Sequence, residues 1–309
     1  MEFNFREALE NVGFTVDLIN PTHIKGGLDY DPLTNSFTNT EEGRALSIPE
    51  ITELLAELGN LSPTRWDHLK SATDLRQVET KWLIEDILPL GQIGVILAPP
   101  KSFKSLFTLK LALAIAQGKE FAGHKVTQSN VLFIQNENSE SDEAGRMRLM
   151  TSDPADNLTF DFSRTVRMER LKEIKPIIEA RDIKLVIIDP LYLSFDNGAK
   201  VFKDEDLLTD ILTEVKEFKL SLGDVSFLLL HHTRKIDGNR KNKKDFEIIA
   251  DDAYGTTFLN AWREVLFCLT PFDWGSMVSI EGRSFNPDFK LACKINSFGF
   301  EVMEVPDGG

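Results

Sequence analysis

Short apolar segments alternate with longer amphipathic ones along most of the chain, and this pattern constrains the fold more than any other feature. Four segments are almost wholly apolar and rich in β-branched residues: IGVIL (93–97), NVLFIQ (130–135), KLVIID (184–189) and SFLLLH (226–231). Strands of this composition are typical of a parallel sheet that is covered on both faces. The sequence therefore predicts an α/β fold with a doubly wound, mainly parallel sheet.

Helical segments separate these strands, and a different pattern follows them. The predicted helices are SLFTLKLALAIAQ, a charged stretch near 140–150, a stretch around 166–181 and DEDLLTDILTEVKEF (204–218). Beyond residue 262, the segments REVLFCL, SMVSIEG, FKLACKI and FGFEVMEV predict hairpin-linked strands, which would extend the sheet with antiparallel strands.

Residues 1–80 lack the alternation of apolar strands and helices that begins at about residue 81. This difference predicts a small N-terminal accessory region (1–80) before the main domain (81–309). The polar, turn-rich stretch at 26–43 predicts a loop. A capping-box pattern before ITELLAEL (51–58) predicts a short helix.

Composition narrows the functional classes. The net charge is −14, which argues against nucleic-acid binding over the whole surface but leaves room for a local basic channel. Only Cys268 and Cys293 occur, without a C-x-x-C pattern, so neither a disulfide framework nor a cysteine zinc site is predicted. We expect no signal peptide and no membrane association, and a reducing cytoplasm is the expected location.

The segment LAPPKSFKS (97–105) directly follows the first apolar strand and ends like a phosphate-binding loop. In the pattern G-x-x-x-x-G-K-[ST], the lysine reaches the β- and γ-phosphates and the hydroxyl binds Mg²⁺, which gives these roles to Lys104 and Ser105. The two glycines are replaced by Ala98 and Phe103. Phe103 therefore has either an ordinary φ in an altered loop or a strained, positive φ. The candidate nucleotide-binding residues are Ala98, Pro99, Pro100, Lys101, Ser102, Phe103, Lys104 and Ser105.

Two carboxylates follow other predicted strands. Asp189 ends KLVIID, at the edge of an open α/β sheet where ligands bind, and could hold Mg²⁺; the alternative is a cap of the turn before Pro190. Glu137 follows NVLFIQ by two residues and could polarise a water against the γ-phosphate; the alternative is an ordinary loop carboxylate in an acidic stretch.

The segment SFLLLHHTRK carries two adjacent histidines. Neighbouring residues on a strand point to opposite faces, so His231 and His232 cannot easily chelate one metal, and a zinc site is not expected. One imidazole is expected to face the nucleotide edge and the other the interior.

Six of the eleven residues at 234–244 are Lys or Arg, which makes this the most basic segment of an acidic chain. It predicts either a loop that grips a nucleic-acid backbone or a solvated surface loop. The candidate DNA-binding residues are Arg234, Lys235, Arg240, Lys241, Lys243 and Lys244.

Taken in order, these segments resemble one family. WLIEDILPLGQIGVILAPPKSFKS, VLFIQNEN, LVIIDPLYLSF, LLLHHTRK and DDAYGTTFLNAWREV together resemble the RepA-like branch of the RecA-fold ATPases, which contains hexameric replicative helicases and relatives of DnaB and KaiC. The resemblance covers about residues 81–270, so residues 81–309 are expected to form a RecA-like ATPase domain. It implies ATP and Mg²⁺ as cofactors, and single-stranded DNA, further copies of the chain in a hexameric ring, and other replication or recombination proteins as partners.

The resemblance also implies residue roles. Lys104 and Ser105 match the Walker A motif, Asp189 matches Walker B and Glu137 matches the catalytic glutamate. Related loops often read P-K-S-x-K-S, so Phe103 is interpreted as a tolerated variant.

Three further positions complete this comparison. His232, or alternatively His231, matches the γ-phosphate sensor, and Arg263 matches an arginine finger that acts in trans. Without the resemblance, a structural salt bridge is the simpler interpretation of Arg263. Asn138 stands where the family commonly has an aspartate after the glutamate. This difference and the missing glycines bear on the expected rate of hydrolysis more than on the expected binding of nucleotide.

The leading hypothesis is an ATP-dependent DNA motor, a ring-forming replicative helicase that acts on single-stranded DNA. A RecA-like recombination or strand-annealing ATPase is the first alternative. The second is a slow, nucleotide-binding regulatory or assembly protein without helicase activity.

Overall fold

The computed structural model describes residues 79–236, 246–254, 262–297 and 299–306, together with residues 22–24, 28–31, 36–39, 44–45, 72 and 76. The chain divides into two compact units, Met1–Val78 and Glu79–Gly309. In the described part of the chain, none of the helices combines the length and the apolar character needed to cross a bilayer.

The described strands of the first unit form a four-stranded antiparallel sheet, in the order β1-β2-β3-β4. The prediction of a loop over residues 26–43 is wrong, because β2 and β3 lie within this stretch. Tyr30 and Phe37 are partners in the register of these two strands, and aromatic residues favour strands even in a polar context. The helix predicted at 51–58 lies outside the described residues. The strands are β1 (Thr22–Ile24), β2 (Leu28–Asp31), β3 (Ser36–Asn39) and β4 (Arg44–Ala45).

The second unit contains a nine-stranded sheet, in the order β15-β14-β13-β12-β7-β11-β10-β8-β9, and the separate hairpin β5-β6. The strands are β5 (Trp82–Ile84), β6 (Leu88–Pro89), β7 (Ile93–Ala98), β8 (Asn130–Gln135), β9 (Leu158–Asp161), β10 (Ile183–Asp189), β11 (Ser226–His232), β12 (Val265–Phe272), β13 (Gly275–Gly282), β14 (Phe289–Asn296) and β15 (Gly299–Pro306).

The predicted fold class is confirmed. Strands β7 to β12 pair with one another in parallel. Strands β13, β14 and β15 extend the sheet beyond β12 with antiparallel pairing. The extension begins one strand later than predicted, because β12 pairs in parallel with β7 before its hairpin to β13.

Helices cover both faces of the sheet, and each face has its own apolar core. On one face, Phe107, Leu111 and Ile115 of α1 are fully buried; on the other, Leu208 and Leu212 of α5 are fully buried. The stretch predicted as one helix around 166–181 is a 3-10 helix (Met168–Ile174) followed by α3. The helices are α1 (Lys104–Gln117), α2 (Glu140–Met150), α3 (Lys175–Ala180), α4 (Gly198–Val201) and α5 (Glu205–Leu222), with further 3-10 helices at Leu191–Ser194 and Ala250–Asp252.

Candidate functional site

The carboxyl ends of four parallel strands meet at one edge of the sheet. Gln135 of β8 is the register partner of Asp189 of β10, and Ala98 of β7 is the partner of His232 of β11. The segments that follow these strands enclose an open cleft of about 370 Å³. Its lining residues are Pro99, Pro100, Lys101, Ser102, Phe103, Lys104, Ser105, Leu106, Glu137, Asn138, Arg146 and His232.

The loop between β7 and α1 holds a strained backbone. Phe103 has φ 60° and ψ 15°, in the left-handed region, and Lys101 has φ 64°. Of the two conformations that the sequence left open, Phe103 therefore has the positive φ, at a cost of roughly 1–2 kcal/mol for a residue other than glycine. Its ring packs edge-on against Phe300 of β15, with 5.9 Å between the ring centroids, and this contact offsets part of the strain.

Hydrogen bonds fix the same loop from within and from the side. The Ser102 hydroxyl donates to the Pro99 carbonyl at 2.6 Å, and the Ser276 hydroxyl of β13 donates to the Ser102 carbonyl at 2.9 Å. Helix α1 begins directly after the loop, without a side-chain cap and without an acidic residue in its first turn. The exposed N–H groups of such a helix start favour an anion.

Phe103→Gly is expected to change the Kd for ATP by less than about tenfold, or 1.4 kcal/mol. The glycine relieves the backbone strain but also removes the contact with Phe300, and these two effects oppose each other. Isothermal titration calorimetry with ATP and Mg²⁺ measures the change, and Phe300→Ala is the control that removes the contact alone. Complete loss of binding in Phe103→Gly would show that the phenylalanine is an essential part of the site.

Lys104 is the first residue of α1, and its side chain is buried in the cleft at 7% exposure. Its Nζ has no hydrogen-bond partner in the described part of the chain. Burial lowers the pKa of Lys104, and the charges of Asp189 and Glu137 counteract this effect. An ammonium group in this state is stabilised by any anion that enters the cleft.

Asp189 lies beneath the helix start, at the end of β10, and is completely buried. Its Oδ2 accepts a hydrogen bond from the Ser105 hydroxyl at 2.9 Å, whereas Oδ1 has no partner among the described residues. Burial raises the pKa of Asp189, against the opposing influence of Lys104 and Ser105. The structure thus places a carboxylate beside a hydroxyl, and the unpaired Oδ1 of Asp189 is an oxygen available to a hard cation.

Glu137 lies in the turn after β8, and its exposed side chain lines the cleft. Asn138 and Arg146 also line the cleft, and the Arg146 guanidinium is bound to the Glu143 carboxylate at 2.5 Å. Sequence reasoning did not assign Arg146. The spacing of Glu143 and Arg146, one helical turn apart in α2, was the available signal.

The two histidines separate as predicted for adjacent strand residues. His232 lines the cleft, whereas His231 is buried on the other face of β11 and stacks on Phe202, with 5.0 Å between the ring centroids. The carbonyl oxygen of Tyr254 lies 2.7 Å from Nε2 of His231. Burial lowers the pKa of both imidazoles, and that of His231 falls to about 4.

The free energy of unfolding is expected to decrease as the pH falls from 6.5 to about 4. In this window the unfolded chain binds a proton at His231 that the folded chain excludes, because burial and then the nearby charges of Lys104 and His232 disfavour it. The effect is roughly 3 kcal/mol. Urea titrations of the wild type and of His231→Gln at several pH values measure it; parallel pH profiles of the two proteins would contradict the assignment.

Arg263 is not brought to this cleft. It precedes β12 beside the amino end of β7, roughly 20–25 Å along the strand from the loop. Its guanidinium contacts the Glu281 carboxylate at 3.2 Å, which is the salt bridge that the sequence had left as the alternative. An arginine finger that acts in trans stays a prediction. It requires the amino end of the parallel strands to face another copy of the chain.

The basic segment begins close to the cleft. Arg234 and Lys235 are exposed just beyond His232, and the Arg234 N–H donates to the Asp252 carbonyl at 2.7 Å. The other four candidates, Arg240, Lys241, Lys243 and Lys244, lie outside the described residues.

Comparison with known proteins shows the family and the fold of this chain. The profile of the AAA domain family AAA_25 matches residues 57–238, more than half of the chain. A solved ATPase domain of another protein is 13% identical, with a TM-score of 0.50, and the match covers 68% of this chain and 84% of that one. A KaiC-like protein from Pyrococcus horikoshii OT3 is 14% identical, with a TM-score of 0.49, covering 71% and 93%. No curated protein matches the sequence.

The family match and the fold agree on the class of protein. The matched range, 57–238, spans the loop, Glu137, Asp189 and both histidines. The fold shared with the solved ATPase domain contains the mainly parallel sheet. The chain belongs to the AAA domain family and has the fold of a RecA-like P-loop ATPase.

Proposed function

We propose that this chain is an ATP-dependent DNA motor of the RepA-like, ring-forming helicase type. It binds ATP with Mg²⁺ in the cleft, hydrolyses it there and acts on single-stranded DNA in the cytoplasm. The family match supports the ATPase class. The action on DNA, the assembly into a ring and the membership of the RepA-like branch are parts of the proposal.

Two unsatisfied buried charges carry the ATPase part of the proposal. Lys104 Nζ and Asp189 Oδ1 are both buried without a hydrogen-bond partner in the described residues. Lys104 is the first residue of α1, and Asp189, at the end of β10, accepts a hydrogen bond from Ser105 of the same helix. Buried polar groups are normally paired, and an unpaired charge is costly. A nucleotide phosphate with its cation would satisfy both groups at once, since the Lys104 ammonium needs hydrogen-bond acceptors and Asp189 Oδ1 needs a cation or a donor.

Mg²⁺ fits the donor set at this position. Ser105 and Asp189 offer a hydroxyl and a carboxylate oxygen, the hard ligands that Mg²⁺ takes alongside phosphate oxygens. When bound, the ion neutralises phosphate charge.

The chain's own residues have separable tasks in this proposal. Lys104 binds the β- and γ-phosphate oxygens and stabilises the charge that develops on them. Glu137, which also lines the cleft, orients the attacking water. His232, with a lowered pKa, is neutral at pH 7 and contacts the γ-phosphate as a hydrogen-bonding sensor.

The link between hydrolysis and DNA rests on chain connectivity. Strand β11 ends with His232 in the cleft, and the basic segment at 234–244 begins two residues later. A shift of His232 with the state of the nucleotide would therefore reach Arg234 and Lys235 directly. These two exposed cations suit a phosphate backbone, whose binding they would make dependent on salt.

The experiment compares ATP hydrolysis with and without single-stranded DNA, unwinding of a forked duplex, and oligomeric mass by light scattering with an ATP analogue. We expect DNA-stimulated hydrolysis, unwinding and a ring-sized mass. Arg234→Glu/Lys235→Glu is expected to lose the stimulation but keep nucleotide affinity. The control, Lys125→Glu/Lys172→Glu, makes the same charge change at two exposed lysines elsewhere.

The other outcomes identify the alternatives. Strand annealing without unwinding would indicate a recombination-type ATPase. Tight ATP binding without turnover, together with no salt-sensitive DNA binding, would indicate a regulatory or assembly protein and contradict the motor.

A further inference from the structure

The turn that carries Glu137 is held by a buried glutamine at the end of β8. Gln135 is completely buried, and its side-chain oxygen accepts hydrogen bonds from the backbone N–H of Glu137 at 3.0 Å and of Asn138 at 3.1 Å. One side chain therefore fixes two successive peptide groups. The direction in which the Glu137 side chain leaves the backbone depends on those two groups.

The same glutamine is itself held in one orientation. Its amide nitrogen donates to Oε1 of Glu143 in α2 at 3.0 Å. This hydrogen bond requires the amide nitrogen to face α2 and the amide oxygen to face the turn. Glu143 is 2% exposed, so the contact is shielded from water.

Glu143 connects the glutamine to the wall of the cleft. The same Oε1 accepts a hydrogen bond from the Arg146 guanidinium at 2.5 Å, and Arg146 lines the cleft beside Glu137 and Asn138. The contacts form one continuous path from the turn, through Gln135 and Glu143, to Arg146.

A polar path of this kind is not needed to stabilise the fold. Buried polar groups can often be replaced by apolar groups of similar shape at little cost in stability. What a satisfied polar network does provide is a single defined orientation of its members. Here the members that it orients are the backbone of Glu137 and the guanidinium of Arg146.

We propose that Gln135 is a positioning residue for ATP hydrolysis, held by Glu143, which sets the orientation of Glu137 in the cleft. This inference rests on the proposed hydrolytic function, because the benefit of orienting Glu137 is realised at the attacking water. Gln135 does not touch the nucleotide, so it affects turnover through Glu137 and leaves nucleotide affinity unchanged.

The test compares three variants. Gln135→Met keeps the approximate size of the side chain and removes all of its hydrogen bonds. Gln135→Glu/Glu143→Gln exchanges the two partners, which preserves an acceptor toward the turn and a donor–acceptor pair between β8 and α2. Gln117→Met is the matched control: it removes the hydrogen bonds that the Gln117 amide nitrogen donates to Thr151, Asp153 and Pro154 at the far end of α1.

Two readouts are measured in the full-length protein: kcat with the Kd for ATP, and hydrogen exchange of the Glu137 and Asn138 amides. Gln135→Met is expected to lower kcat by about 10- to 100-fold, the effect of a misplacement near 1 Å, with the Kd within about threefold of wild type. Exchange of both amides is expected to accelerate. The exchanged pair is expected to restore kcat to within about threefold, and Gln117→Met to match the wild type.

Four results would overturn the inference: a kcat of Gln135→Met within about threefold of wild type, a parallel loss of nucleotide affinity, unchanged amide exchange, or no recovery in a folded exchanged pair. Failure of the proposed function has a different signature, namely a wild type without hydrolysis that depends on Lys104. In that case the amide exchange of Gln135→Met still decides whether Gln135 holds the turn.

Discussion

Lys104→Ala is expected to lower ATP turnover by about 100- to 1,000-fold, the loss associated with removing one preorganised charge from a developing phosphate charge. The buried Nζ has no protein acceptor among the described residues, so its interaction energy is available to the phosphates. Nucleotide affinity falls as well, since the same ammonium binds the ground state. Steady-state phosphate release with Mg²⁺ measures the effect.

The control for this variant is Lys110→Ala, which removes a half-buried lysine from the same helix outside the cleft. It is expected to keep turnover within about threefold of wild type, and thermal unfolding of both variants checks that they are folded. Equal turnover in Lys104→Ala and wild type would mean that hydrolysis takes place elsewhere.

Glu137→Gln is expected to lower kcat by about 100- to 10,000-fold, the usual contribution of a general base. The amide keeps the size of the side chain and its backbone contacts, but it can no longer accept the proton of the attacking water. Because Glu137 is a carboxylate outside the loop and the helix start, it offers no donor to the phosphates of bound ATP, and the Kd for ATP is expected to stay within about threefold. Single-turnover kinetics separate the chemical step from binding.

A matched control for Glu137 is Glu140→Gln, an exposed carboxylate in the first turn of α2. It removes one negative charge three residues away without touching the cleft lining. A kcat loss of the same size in both variants would show that the general field of the acidic segment matters, rather than a positioned base.

The two variants, Lys104→Ala and Glu137→Gln, are expected to differ in whether they preserve nucleotide binding. Lys104→Ala weakens both binding and turnover, whereas Glu137→Gln yields a protein that binds ATP and retains it. The second variant is therefore suited to trapping the assembled state in which ring formation and DNA binding are proposed to occur.

The parallel strands were the part of the fold that the sequence specified best. Strand β8 has the bounds predicted from NVLFIQ. Three further strands are each one residue longer than predicted, namely those of KLVIID, IGVIL and SFLLLH. Segments buried on both faces must be apolar along their whole length, so composition alone locates them. Strand β9 was missed, because this edge strand is short and only half-buried.

The loop conformation and the cleft wall depended on contacts that are distant in sequence. The sequence allowed two conformations of Phe103, and the contact with Phe300, almost two hundred residues later, accompanies the strained one. Similarly, the bonds of Gln135 exist only because α2 folds back over the end of β8 and places Glu143 against it.

Arg263 illustrates the same limit from the other direction. The family resemblance implied a place for Arg263 near the phosphates of a neighbouring copy. Its location was decided by the pairing of β12 with β7, which sets it at the opposite edge of the sheet beside Glu281. Strand order is a non-local property, and periodicity does not encode it.

A crystal structure of the protein with Mg²⁺ and a non-hydrolysable ATP analogue tests the proposed nucleotide site most directly. We expect the β- and γ-phosphates within hydrogen-bond distance of Lys104 Nζ, the ion bound at Ser105 and Asp189, and Glu137 facing the γ-phosphate. A nucleotide bound away from the loop at 99–103, or a cleft in which Lys104 and Asp189 contact each other instead of the ligand, would contradict it.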